Sequence, residues 1–170
     1  MKKKCLFFNY SILLIFCQLF ICFSSVFAIS KVQEDSIVSN CESIKDSLKN
    51  IQRSDARARI YLGGHYEVVL SKFVIPLNVK LVEKNISNVG LIENQKNLAG
   101  MKINFSNDFI KYQQLLEELV VKDCKTEPEG FYDKLISVRE AREIVRRDVT
   151  KMRGLISEHV KLVNGLKSDL

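Results

Sequence analysis

The chain has no tryptophan, and its two histidines and two prolines are scattered singly through 170 residues. Beyond residue 28 the two cysteines and two histidines stand far apart, without the short ligand spacing of a zinc site. No glycine-rich phosphate loop follows a predicted strand, and the GxSxG, HExxH and CxxC motifs are missing. These absences argue against familiar hydrolase, nucleotide and metal chemistry. The sequence therefore predicts a protein that is not an enzyme, with no cofactor and no metal.

Residues 1–28 have the organisation of a secretory signal peptide. Three lysines at positions 2–4 precede the apolar segment Leu6–Phe23, and Val26-Phe27-Ala28 supplies small or branched residues before a cleavage point. We expect cleavage after Ala28 and a secreted, periplasmic or envelope location. The alternative is an uncleaved membrane anchor, because the apolar segment is long enough to span a bilayer.

The mature chain, residues 29–170, carries 23 basic and 20 acidic residues, which leaves a net charge of about +3. The three signal-peptide lysines supply the rest of the formal +6. Its aromatic residues are not interleaved with a basic stripe, so nucleic-acid binding is not predicted. Membrane association is expected only if residues 1–28 remain attached. The length of the mature chain indicates a single domain.

Cys41 and Cys124 are the cysteines that remain in the mature chain. In an oxidising compartment the simplest prediction is one disulfide between them. It would close a long loop, which corresponds to about 4 kcal/mol of stabilisation from the entropy of the unfolded chain. Two buried free thiols are the alternative.

The C-terminal part of the chain carries a stripe of alternating four- and three-residue spacing, typical of a coiled coil. Nine of its eleven positions are apolar, which favours one long helix with a continuous contact edge. We call it the C-terminal stripe; its members are Phe131, Leu135, Val138, Arg142, Val145, Val149, Met152, Ile156, His159, Val163 and Leu166. Thr126-Glu127-Pro128-Glu129 in front of it resembles a capping box with proline in the first turn.

The first half of the mature chain is also predicted to be helical. Apolar spacing indicates a helix over residues 36–53, capped by Ser39 or Asn40, which can continue to Leu62. Gly63-Gly64 weakens it before a second stripe, and Pro76 should interrupt that stripe near Ile75. The second stripe comprises Tyr66, Leu70, Phe73, Leu77 and Leu81. The alternative is a β-hairpin of residues 59–62 and 66–70 around the glycines.

Residues 85–105 are rich in asparagine, serine and glycine. This composition predicts an irregular excursion or a small hairpin of residues 90–92 with 101–105. A further helix is expected over residues 107–123. The predicted fold is all-α: an elongated, disulfide-stapled helical bundle or coiled coil with a long C-terminal helix.

A Cys41–Cys124 bond would place the starts of the first and last helices at one end, so that they run parallel. Asp55 lies as far beyond Cys41 in the sequence as Arg142 lies beyond Pro128. Both then stand about 21 Å along the bundle. We predict a core Asp55–Arg142 ion pair that sets helix register. The alternative is that each side chain reaches solvent at the edge of its helix contact.

The function predicted from these features is that of an exported, non-enzymatic helical interaction protein: an adaptor, adhesion factor or assembly subunit. A protein partner or self-association is expected. A secreted toxin-like or host-directed effector and an activator of an envelope hydrolase are the alternatives. The second half of the C-terminal stripe should contact either residues 66–81 or a partner, which makes it the predicted interaction site; its residues are Ile156, His159, Val163 and Leu166.

Overall fold

A computed structural model describes residues 29–86 and 88–168, without the side chains of residues 167 and 168. The predicted signal peptide and its cleavage point lie outside these residues. Every element of the described part of the chain is a helix, which confirms the all-α prediction. In chain order they are α1 (Lys31–Ser39), α2 (Cys41–Val68), a π-helix (Val69–Val74), α3 (Ile75–Glu83), α4 (Val89–Val121) and α5 (Pro128–Ser168).

Helix α1 begins earlier than the spacing predicted. The Ser30 hydroxyl accepts from the Gln33 amide at 3.3 Å, and the Gln33 side chain accepts from the Ser30 amide at 3.2 Å. This reciprocal capping box satisfies two amides that the first turn leaves unpaired. The predicted cap at Ser39 or Asn40 is wrong in detail. Asn40 separates α1 from α2, and its side-chain amide donates back to the Ser36 carbonyl at 2.9 Å without capping α2.

Helix α2 continues through Gly63 and Gly64, so the alternative hairpin around these glycines is wrong. Each glycine costs a helix about 1 kcal/mol relative to alanine. Leu62 packs against the core on one side of the pair, and Tyr66 is almost fully buried on the other. Burial of these large side chains offsets the cost, since packing of an apolar face supplies most helical stability in proteins.

The π-helix from Val69 to Val74 marks the interruption that the sequence predicted near Ile75. Pro76 has no amide to donate, and its ring excludes a carbonyl four residues earlier in a regular α-helix. Bonds from residue i to i+5 widen the turns in front of it. The buried positions consequently recur at every fourth residue: Tyr66, Leu70, Val74 and Asn78.

The predicted excursion at residues 85–105 is wrong, because the connection between α3 and α4 is only a short turn. Asn85 has a φ of 60°, a left-handed conformation that asparagine tolerates well. Its amide donates to the Val82 carbonyl, and the Ile86 amide donates to the Leu81 carbonyl, both at 2.9 Å. This is the Schellman arrangement that ends a helix. Asn88 then caps α4 by accepting from the Leu91 amide at 3.0 Å.

The first half of α4 is helical because its core positions alternate three- and four-residue spacing. Leu91, Leu98 and Phe105 are buried, and Asn94 occupies the position between the two leucines. The Asn94 side-chain amide is accommodated there by donating to the Leu155 carbonyl of α5 at 3.0 Å. A polar side chain at a core position hides the helical pattern from a count of apolar residues.

Cys41 and Cys124 form the predicted disulfide, with their Cα atoms 5.7 Å apart. It joins the start of α2 to the turn before α5. Contacts along the bundle show α4 antiparallel to both helices. On α2, Asp55 bonds to Tyr112 and Glu67 pairs with Lys102; on α5, Lys134 pairs with Glu118 and Leu155 accepts from Asn94. The core of the described residues runs along this bundle; its largest fully buried side chains include Leu91, Leu98, Tyr112, Leu116, Leu119, Phe131 and Met152.

Replacing both cysteines, Cys41→Ser with Cys124→Ser, is expected to lower the free energy of unfolding by about 4 kcal/mol, because the unfolded chain regains the entropy of a long loop. Urea denaturation of residues 29–170 followed by circular dichroism measures this change. Wild-type protein in reducing agent is the control and should unfold at the same midpoint as the variant. A loss below about 1 kcal/mol would contradict a stabilising disulfide.

Candidate functional site

Asp55, Tyr112 and Arg142 form a polar layer that joins α2, α4 and α5. Arg142 donates from Nε to Oδ2 of Asp55 at 2.9 Å and from Nη2 to Oδ1 at 3.1 Å. The Tyr112 hydroxyl donates to the same Oδ2 at 2.7 Å. The predicted ion pair is therefore present. It lies at the edge of the bundle instead of in its core, because 48% of the Arg142 side chain and 17% of the Asp55 side chain are exposed.

The three side chains of the layer bond to one another and so link three helices. Burial raises the pKa of the Tyr112 phenol far above its usual range, and the hydrogen bond to Asp55 raises it further. Tyr112 thus remains a donor at all physiological pH values. A bidentate guanidinium–carboxylate pair has strict geometry, so sliding one helix by a single turn would break it. This geometry is consistent with the predicted role of the ion pair in setting helix register.

The second half of the C-terminal stripe was predicted to contact residues 66–81 or a partner, but in the structure it packs against α4. His159 is only 7% exposed, Ile156 packs against the core, and Val163 and Leu166 are half-buried. The first turns of α4 cover this half: Leu162 lies against Gly90, and Asn94 bonds to Leu155. The prediction failed because these turns were expected to be a loop. The second half of the stripe therefore packs against α4 of the same chain.

Buried polar side chains from three helices occur at the end of the bundle remote from the disulfide. Asn78 of α3 donates to the Leu91 carbonyl of α4 at 3.1 Å, and Asn94 of α4 donates to α5. The Oδ1 atoms of both asparagines and both ring nitrogens of His159 are buried without partners among the described residues. Burial lowers the pKa of His159. His65 is exposed and stacks on Tyr61, so the two histidines do not form a shared site.

Asp148 of α5 is buried and lies near Asp108 of α4, which the sequence did not reveal because Asp148 lies outside the C-terminal stripe. Burial, followed by the interaction with Asp108, raises the pKa of Asp148. Two carboxyl groups that share a site cannot both ionise easily. Among the described residues there is no group of three or more histidine, cysteine or acidic side chains that could hold a metal ion.

Two open grooves flank α4. One, of about 640 Å³, separates it from α5 and is floored by Gly100 and Gly154. The other, of about 450 Å³, separates it from α2 beside Gly63 and Gly64. Both are shallow and mix charged with apolar side chains, and neither converges polar groups on one point.

The largest concentration of exposed apolar side chains lies on the solvent side of α2, the π-helix and α3. Tyr61 is 74% exposed and Phe73 is 64% exposed. We call this surface the outer face; its apolar members are Ile60, Tyr61, Val68, Phe73, Ile75, Val79 and Val82. Seven of the fifteen exposed large hydrophobic residues therefore fall between Ile60 and Val82, whereas the described side chains of the much longer helix α5 contribute only Val160.

Three basic residues, Arg57, Lys72 and Lys80, are interspersed among these apolar side chains and complete the outer face. All three are exposed, and none has an ion-pair partner in the part of the chain that the structure describes. Glu67 is close by in sequence but is already paired with Lys102 of α4. The outer face consequently combines apolar surface with unpaired positive charge.

The sequence missed this face because the wide π-turns rotate side chains away from their α-helical positions. Phe73 was predicted to lie on the buried stripe with Leu70 and Leu77, but it points to solvent and Val74 is buried in its place. The i→i+5 hydrogen bonds of the π-helix explain why Val74 is buried in place of Phe73. In the sequence, Pro76 is only a weak indication of these bonds.

Asp55→Ala and Arg142→Ala should each lower the free energy of unfolding by about 1 kcal/mol, because a half-exposed bidentate pair is worth more than a surface pair and less than a buried one. In the double variant the total loss should fall short of the sum. Denaturant unfolding of all four proteins measures the coupling. Purely additive losses would show that the two side chains act independently. Lys49→Ala, which removes an exposed pair within one helix, is the matched control.

Asp148→Asn should stabilise the protein at pH 7, because the native state holds the Asp148 proton to higher pH than the unfolded chain does. The stabilisation that comes from protonated Asp148 is complete below the pKa that Asp148 has in the unfolded chain. It is lost as the pH rises through the higher pKa of Asp148 in the folded protein. The gain should stay under about 1 kcal/mol, since solvent screens part of the repulsion, and should vanish below about pH 4. Thermal unfolding between pH 3 and 7 checks it, with the exposed Asp133→Asn as control. An equal gain at every pH would contradict a titrating origin.

None of the helices in residues 29–86 and 88–168 is both long and apolar enough to cross a membrane. Comparison of the chain with models of protein families, with curated proteins and with solved structures finds no match.

Proposed function

We propose that this chain is an exported, non-enzymatic helical interaction protein that acts at the cell envelope or outside it, as an adaptor, adhesion factor or assembly subunit. The disulfide between Cys41 and Cys124 supports export, because such bonds persist mainly in oxidising compartments. The outer face is the observation that carries the proposal.

The outer face supports a binding role because its composition does not serve the fold. The core is already filled by the opposite side of the same helices, through Tyr66, Leu70 and Val74. Exposed large apolar side chains concentrated in one segment indicate an interaction site more than the same side chains scattered singly over a surface. Aromatic side chains such as Tyr61 and Phe73 are also enriched where proteins meet partners.

The bundle presents this face as a fixed surface. The Asp55 layer anchors the middle of α2, and the hydrogen bond from Asn78 to the Leu91 carbonyl ties α3 to α4. Between these points Tyr66, Leu70 and Val74 are held in the core. A preorganised surface loses little conformational entropy on binding.

A photoreactive phenylalanine analogue placed at Tyr61 or Phe73 should give crosslinked products in intact cells, because these side chains would contact the binding partner. The same analogue at Arg139 or Glu140, exposed positions of α5, is the matched control and should give little product. The masses of the products distinguish protein, lipid and a second copy of this chain.

Equal yields from both faces, or no product from the outer face, would contradict the proposal. Fractionation of the same cells tests export separately: the protein should be found outside the cytoplasm and, without added reductant, should contain no free thiol at Cys41 or Cys124.

A further inference from the structure

We propose that the outer face binds the anionic surface of a lipid bilayer. This rests on the proposed function, in which the outer face is the working surface, and it adds the chemistry of the partner. It also departs from the sequence-based expectation that membrane contact depends on residues 1–28, since the outer face lies entirely within the folded bundle.

Charge distribution is the first argument. Residues 57–84, which include the whole outer face, contain five basic and two acidic residues, a net charge of +3, whereas residues 112–170 contain eleven of each. The excess positive charge of the mature chain is therefore concentrated in the segment that carries the outer face. Each lysine or arginine near an anionic bilayer strengthens binding about fivefold.

The kind of side chain is the second argument. Exposed Tyr61 and Phe73 alternate along the rod with branched aliphatic residues, while Arg57, Lys72 and Lys80 lie among them. Interfacial helices combine these features: apolar side chains enter the acyl boundary while basic side chains meet headgroup phosphates. Long lysine stems can lie along apolar surface with the ammonium in the polar region.

The exposure and charge of the outer face disfavour binding of a folded protein partner or of a second copy of this chain. The apolar side chains of the outer face project into solvent, and only Ile60 among them borders one of the two grooves described above. Apolar anchors at protein interfaces usually enter pockets on the partner, whereas a deformable bilayer accepts protruding side chains without a preformed pocket. Self-association through this face would bring Arg57, Lys72 and Lys80 of two copies together, and like charges oppose that contact.

Vesicle co-sedimentation of residues 29–170 tests the proposal. We expect binding to phosphatidylcholine vesicles that contain roughly a third phosphatidylglycerol, little binding to pure phosphatidylcholine, and weakening as salt shortens the Debye length. Lys72→Gln with Lys80→Gln should weaken binding about 30-fold. Phe73→Ser with Val79→Ser should weaken it at unchanged net charge.

Matched controls lie off the outer face. Arg139→Gln with Lys161→Gln removes the same charge from α5, and Val121→Ser with Val160→Ser removes two exposed valines elsewhere. Both should bind nearly as well as wild type. Circular dichroism of every variant confirms that loss of binding is not loss of folding.

Equal weakening in the control pairs, equal binding to neutral vesicles, or no vesicle binding at all would overturn the lipid proposal. If the photoreactive analogue on the outer face then crosslinks to a protein, the proposed function survives with an acidic protein as partner. If it crosslinks to nothing, both proposals fail.

Discussion

The covalent link between Cys41 and Cys124 is the constraint on which the arrangement of the bundle depends. It holds the start of α2 beside the start of α5, so these helices run parallel and α4 must return between them. Once their ends are aligned, residues equally far along each helix share a layer, and Asp55 meets Arg142. Tyr112 then joins α4 to the same carboxylate. The disulfide joins the starts of α2 and α5, and the polar layer links all three helices at one level.

The sequence predicted those features that depend on simple spacing. The all-α fold, the long last helix, the disulfide and the Asp55–Arg142 pair follow from heptad periodicity, cysteine count and rise per residue. The start of α4 could not be predicted in this way, because Asn94 occupies a core position. What stabilises that asparagine is a carbonyl on α5, far away in the sequence. Because the start of α4 was predicted to be irregular, the last turns of α5 were predicted to contact residues 66–81 or another protein instead of α4.

The candidate site was missed for a different physical reason. Apolar residues in a helical pattern are ordinarily assigned to the core, and the pattern itself does not say which of them remain in solvent. Phe73 and Val74 are neighbours of similar apolar character, yet one is exposed and the other buried. The choice between them depends on the π-helical turns, whose presence follows from tertiary packing more than from local sequence.

The π-helix resembles a regular α-helix into which one extra residue has been inserted, with the extra residue accommodated by wider turns. Adding one residue to a regular α-helix rotates everything beyond it by about 100°, which would turn α3 away from α4. Here the extra length is taken up within Val69–Val74, and α3 keeps the orientation that its contact with α4 requires. Shortening this segment by one residue would restore an ordinary helix locally and would misalign the hairpin of α3 and α4. The π-helical turns thus allow α2 and α3 to follow one another in the sequence while each keeps its own packing contacts.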